Sequence, residues 1–65
     1  MPKFAVFFAD DAAVGVTRVE ASDAAAAEAL VLHDHPDGTV KAVDGALVTD
    51  ENRHRMLAAW VRGRG

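Results

Sequence analysis

The stretch KFAVFFA, Lys3–Ala9, constrains the fold more than any other part of the chain. In an extended segment, successive side chains point to opposite faces. Phe4, Val6 and Phe8 then share one face, and Ala5, Phe7 and Ala9 share the other. From Phe4 onward neither face carries a polar side chain. Such a strand belongs in the middle of a sheet, covered on both sides or with one face used for association.

Little chain is available to do the covering. The protein has 65 residues and no cysteine. A domain of this size buries only about 60% of its unfolded surface. Disulfides and thiolate metal sites are excluded, so the support left is regular packing or oligomerisation. With 51% hydrophobic and 26% charged residues, the composition is that of one globular domain spanning 1–65, not a disordered segment. No apolar run approaches the ~20 residues needed to cross a bilayer. The start, MPKFAVFFADD, lacks the basic region and cleavage site of a secretory signal. The expectation is a complete small cytoplasmic protein with no membrane contact.

The remaining elements follow in order. DDAA, residues 10–13, reads as a hairpin turn, and VGVTRVE, residues 14–20, as the returning strand. Gly15 is a candidate bulge that shifts its register. SDAAAAEALVLH, residues 22–33, reads as a helix with Ser22 as N-cap and Asp23 in the first turn. Ala26, Ala27 and Leu30 make its apolar stripe. Pro36 disfavours helical geometry at His35, so the helix ends near His33 or Asp34. Residues 38–45 read as a third strand, with Ala46–Val48 extending it or bridging onward. A last helix spans about 50–62, capped by Thr49 or Asp50, with Met56, Leu57, Trp60 and Val61 on one face and Gly63 and Gly65 ending it. Glu51 and Arg55 are spaced as a surface ion pair. The fold class expected is α+β, ββαβ(α): a small antiparallel sheet with one helix on a face and a C-terminal helix completing the core or a dimer.

Chemistry-bearing residues are few. LVLHDHPDGTV, residues 30–40, holds His33 and His35. Two histidines flanking one residue converge on a strand but not across a helix end, and a transition-metal site wants three or four ligands. The simpler reading is that His33 sits in the last helical turn and His35 is solvated in the connection, leaving them weak metal candidates. The single serine, Ser22, already serves as a cap. The glycines match neither a phosphate-binding loop nor a dinucleotide fingerprint. A pocket of roughly 300 Å³ or more is hard to enclose in one short subunit. No catalytic residue and no cofactor are expected.

Charge is uneven. Residues 1–49 carry eight acidic groups against Lys3, Arg18 and Lys41, a net of −5. Residues 50–65 carry Asp50 and Glu51 against Arg53, Arg55, Arg62 and Arg64, a net of +2. The pI of 5.4 argues against a nucleic-acid binder. The contact residues expected are therefore Asp10 and Asp11 in the turn, with Asp34 and Asp37 beyond, and Arg55, Trp60, Arg62 and Arg64 on the basic arm.

KFAVFFADD and VEASDAAAAEAL resemble parts of YCII-related proteins, over about half the chain. That resemblance implies a small ferredoxin-like subunit that dimerises through its sheet. The family has a histidine-bearing helix directly after its first strand; here a hairpin stands there, and the comparable RHRMLAAW comes last. The family's catalytic histidine and aspartate therefore have no counterpart in this order. The expectation is a non-enzymatic binding or regulatory protein acting on a protein partner, as a homo-oligomer. Two alternatives stay open: an enzyme or ligand binder with an intersubunit site using His33, His35 or His54, and nucleic-acid binding through Arg53, Arg55, Arg62 and Arg64.

Overall fold

The two-faced strand lies where its pattern requires, at the centre of a three-stranded antiparallel sheet. The computed structural model describes residues 1–64, Arg64 by its backbone alone. Strands β1 (Lys3–Ala9), β2 (Val14–Glu20) and β3 (Thr39–Asp44) stand in the order β2-β1-β3. Helix α1 (Ala24–Asp34) precedes β3. A 3-10 turn at Gly45–Leu47 then leads to helix α2 (Arg53–Arg64). The fold is α+β.

The two helices cover opposite faces. Val6 and Ala42 pack with Ala21, Ala27 and Val31 beneath α1. Ala5, Phe7 and Val48 form a second core with Met56, Leu57 and Trp60 of α2. The rings of Phe7 and Trp60 stack at 5.7 Å. The C-terminal helix thus completes the core within its own chain. Each face of the sheet carries a helix of its own chain, so the two apolar faces of β1 are covered without the face-to-face sheet packing that the YCII-related resemblance implies. The order ββαβα also departs from the βαββαβ of a ferredoxin-like unit.

Local chemistry moves several boundaries. The N-cap of α1 is Asp23, not Ser22: its extended backbone brings Oδ1 to the Ala26 N–H at 2.8 Å. The buried stripe is Ala27 and Val31, with Ala26 beside it, while Leu30 is 52% exposed. Helix α1 packs chiefly on β3, so Leu30 projects toward the uncovered β2 side. Before α2, Thr49 and Asn52 exchange bonds: the Asn52 N–H donates to Thr49 Oγ1, and the Thr49 N–H to Asn52 Oδ1. This reciprocal cap starts the helix at Arg53, later than its sequence suggests. Gly63 lies inside α2; Gly65 lies outside the described residues. No ion pair joins Glu51 to Arg55 among the described residues.

Gly15 marks no bulge, since β1 and β2 pair in unbroken register from Lys3–Glu20 to Ala9–Val14. It faces Phe8, and a Cβ there would stand 3.0 Å from the Phe8 ring. The ring occupies the space a side chain would fill, which is how aromatic residues compensate a strand glycine.

The sheet edges differ. The Ala42 N–H donates to Glu28 Oε2 at 2.9 Å, so Ala42 turns its backbone groups away from β1. In an antiparallel ladder the paired Val6 must then turn its own groups toward β2, and Thr17, its partner there, turns inward to meet it. The Ala21 N–H bond to Pro2 O follows the same alternation. On β2, therefore, Val14, Val16, Arg18 and Glu20 direct their backbone groups outward. The Glu28 carboxylate satisfies the Ala42 N–H at the middle of the β3 edge; among the described residues no side-chain hydrogen bond reaches the outward backbone groups of β2.

Candidate functional site

Asp10 ends β1 and builds the hairpin. Its N–H donates to Ala13 O, and its Oδ1 accepts from the Ala12 and Ala13 N–H groups at 2.9 and 2.7 Å. No residue of the chain adopts positive φ among those described, so this is not a mirror-image hairpin turn. The carboxylate supplies the bonds that hold it. The other oxygen, Oδ2, lies 2.6 Å from His35 Nδ1.

His35 arrives from the far side of α1. Pro36 stops the helix, and the Gly38 N–H closes a turn on His35 O. Gly38 fits there because a Cβ would stand 3.0 Å from Ala9 O. The return is required by the pairing of Thr39 with Ala9, which sets residues 35–38 beside the end of β1. The imidazole then stacks on Phe8, ring centroids 4.4 Å apart. Its side chain is only 24% exposed and that of Asp10 only 16%. The expectation of a solvated His35 is thus corrected. An ionised carboxylate only accepts, so Nδ1 is the donor, and Nε2 of the neutral ring is an acceptor.

Asp10 is held below the ordinary aspartate range, first by the His35 bond and then by the Ala13 and Ala12 N–H groups. The sign follows from linkage. A depressed folded pKa gives stability that is fully present above the unfolded value, about 3.9, and is lost as pH falls through the folded one. Urea midpoints should therefore fall as pH drops below about 5, and Asp10→Asn should flatten that limb. Carbon-detected NMR of the Asp10 carboxyl should show its titration midpoint rising toward the usual range in His35→Ala. An unmoved midpoint would separate the two residues.

A shallow depression of about 460 Å³ adjoins this pair. Phe8, Thr17, Val19, Leu30 and Val31 line it, with His33, Asp34 and His35 at the rim. Comparison with family models, with curated proteins and with solved structures matches nothing. The site's meaning therefore rests on its geometry.

The residues singled out by sequence are partly brought together. Asp10, Asp11, Asp34 and Asp37 meet at one end of the molecule around a small hollow. Asp11 is exposed there, whereas Asp10 is committed to its turn and to His35. Arg53, His54, Arg55 and Arg62 are exposed on α2. Trp60 is half-buried on the inner side of that helix against Phe7, so it does not share the arginines' surface. The Arg64 side chain lies outside the described residues. No group of three or more metal-ligating side chains gathers among the described residues. His33 is exposed on the last turn of α1, and His35 is turned onto Phe8. Among the described residues no helix is long and apolar enough to cross a membrane.

Sequence reasoning missed the Asp10–His35 pair, which spans 25 positions. The signal was indirect: a third strand paired antiparallel to β1 must enter beside Ala9, carrying the Pro36 turn to Asp10.

Proposed function

We propose that this chain is a small non-enzymatic regulatory protein of the cytoplasm that works by protein–protein contact, as a homo-oligomer. The observation that supports this reading is the unequal finish of the sheet. Glu28 satisfies the outward Ala42 N–H on the β3 edge, whereas Val14, Val16, Arg18 and Glu20 present outward backbone groups along β2. An open edge strand is a template for another chain, with backbone bonds supplying affinity and flanking side chains supplying specificity. The apolar floor of Phe8, Val19 and Leu30 beside it adds a surface that association would bury.

Light scattering over a concentration series tests the reading. Mass should rise above that of one chain with concentration. A strict monomer at the highest concentration contradicts homo-oligomerisation.

A second reading has one observation in its favour. His35, oriented by Asp10, borders the 460 Å³ depression, so a small ligand with a hydrogen-bond donor fits a site formed or closed between subunits. Under that reading His35→Gln would abolish ligand binding without changing the oligomer.

A further inference from the structure

The geometry points to a specific partner for the β2 edge: the same edge of a second copy, paired antiparallel about Val19. This deepens the protein-contact reading and rests on it. Outward backbone groups on β2 belong to the even-numbered residues, so a two-fold pairing must set even against even in its hydrogen-bonded pairs.

Charge then selects the register. Pairing centred on Arg18 sets Arg18 against Arg18 of the partner subunit, and like charges directly opposite are destabilising. Centring on Val19 sets the partner's Glu20 beside Arg18, twice by symmetry, with Val16 opposite the partner's Ser22; the Arg18 guanidinium keeps its bonds to the Val48 and Gly45 carbonyls of its own chain, and the carboxylate gains only the nearness of that charge. Val19 then meets the partner's Val19 at a non-hydrogen-bonded position, where Cα atoms come within about 4.5 Å. Centring on Thr17 leaves both charges facing valine.

Packing favours the same contact. Helix α1 sits toward β3, so on its face the β2 side holds only the open depression floored by Phe8, Thr17 and Val19. The two-fold axis of a continuous antiparallel sheet stands perpendicular to it, so both α1 helices lie on one side. The two depressions then join into a trough, and the half-exposed Leu30 side chains form its shoulders. The result is a six-stranded sheet with the Glu28-covered β3 edges outermost. The interface is isologous, as closed dimers require.

The chain has no cysteine, which makes the test direct. Val19→Cys, Thr17→Cys and Leu47→Cys are made singly and oxidised at low concentration. The spacing across a non-hydrogen-bonded pair suits a disulfide. The expected result is a covalent dimer from Val19→Cys, with little from Leu47→Cys, a control at an exposed site in the 3-10 turn, outside the β2 strand. Glu20→Lys, at an exposed position, turns two opposite-charge pairs into like-charge pairs and should weaken the dimer about tenfold by light scattering. Crosslinking through Thr17→Cys instead of Val19→Cys overturns the register. An oligomer that forms in the parent chain, ignores Glu20→Lys and fails to crosslink at either position overturns the β2 edge while leaving the protein-contact reading standing. A strict monomer removes both.

Discussion

Phe7→Ala is expected to leave the chain largely unfolded at room temperature. A domain of this length has a total stability of roughly 3–10 kcal/mol. Truncating a buried phenylalanine to alanine typically costs about 3–5 kcal/mol. Phe7 is 3% exposed and stacks on Trp60, and it stands at the middle of the second core, with Ala5, Val48, Met56 and Leu57 around it. Without its ring α2 has no large surface on the sheet to dock against, and a helix of 12 residues is marginal alone in water. Circular dichroism in urea should show the cooperative transition shifted to very low denaturant or lost. A transition within about 1 kcal/mol of the parent's would mean that the α2 layer contributes little, against the cost expected for such a site.

Arg18→Ala is the second large effect. Arg18 lies on the edge strand in one row with Ala5 and Val43. Its guanidinium passes over the small Ala5 to donate to Val48 O at 2.9 Å and Gly45 O at 3.3 Å. One side chain thus ties the outer strand to the 3-10 turn that launches α2. Hydrogen bonds made by a charged donor contribute about 1.5–3 kcal/mol, and a carbonyl left without its partner adds to the loss. We expect a destabilisation of about 1.5–3 kcal/mol and faster amide exchange in α2 than in α1. Arg18→Lys should recover only part, because an ammonium lacks the fork that reaches two carbonyls. Equal exchange in both helices would show that the tie is not what holds α2. Glu20→Lys leaves this tie intact, which keeps the association test separate from stability.

Much of the fold was legible because local signals agreed. The alternation of Phe and Val in Lys3–Ala9 marked β1, and its apolar second face called for a cover, either a second layer or another copy, of which the structure shows the layer. The β-branched run Val14–Glu20 marked β2 with its observed bounds. Pro36 fixed the end of α1. The misplacements came from choices between neighbours that only geometry decides. Ser22 and Asp23 are both good caps, and the chain direction at Asp23 gave it the bond. Leu30 is apolar and in helical phase, but the helix axis leans toward β3 and turns it outward. Gly15 read as a bulge, but the register runs unbroken and its missing side chain makes room for the Phe8 ring. The Asp10–His35 pair depended on which strand β3 would join, a long-range fact no local pattern contains.

The bond from the Ala42 N–H to Glu28 bears on how far association can spread. A sheet with both borders open can add copies without limit and grow into filaments. Here the central N–H of one border is taken by a carboxylate of the chain's own helix, which sits where a neighbour's backbone carbonyl would have to come. If association begins at β2, as proposed, the next copy meets a border whose central N–H is already taken, which favours a pair over a filament.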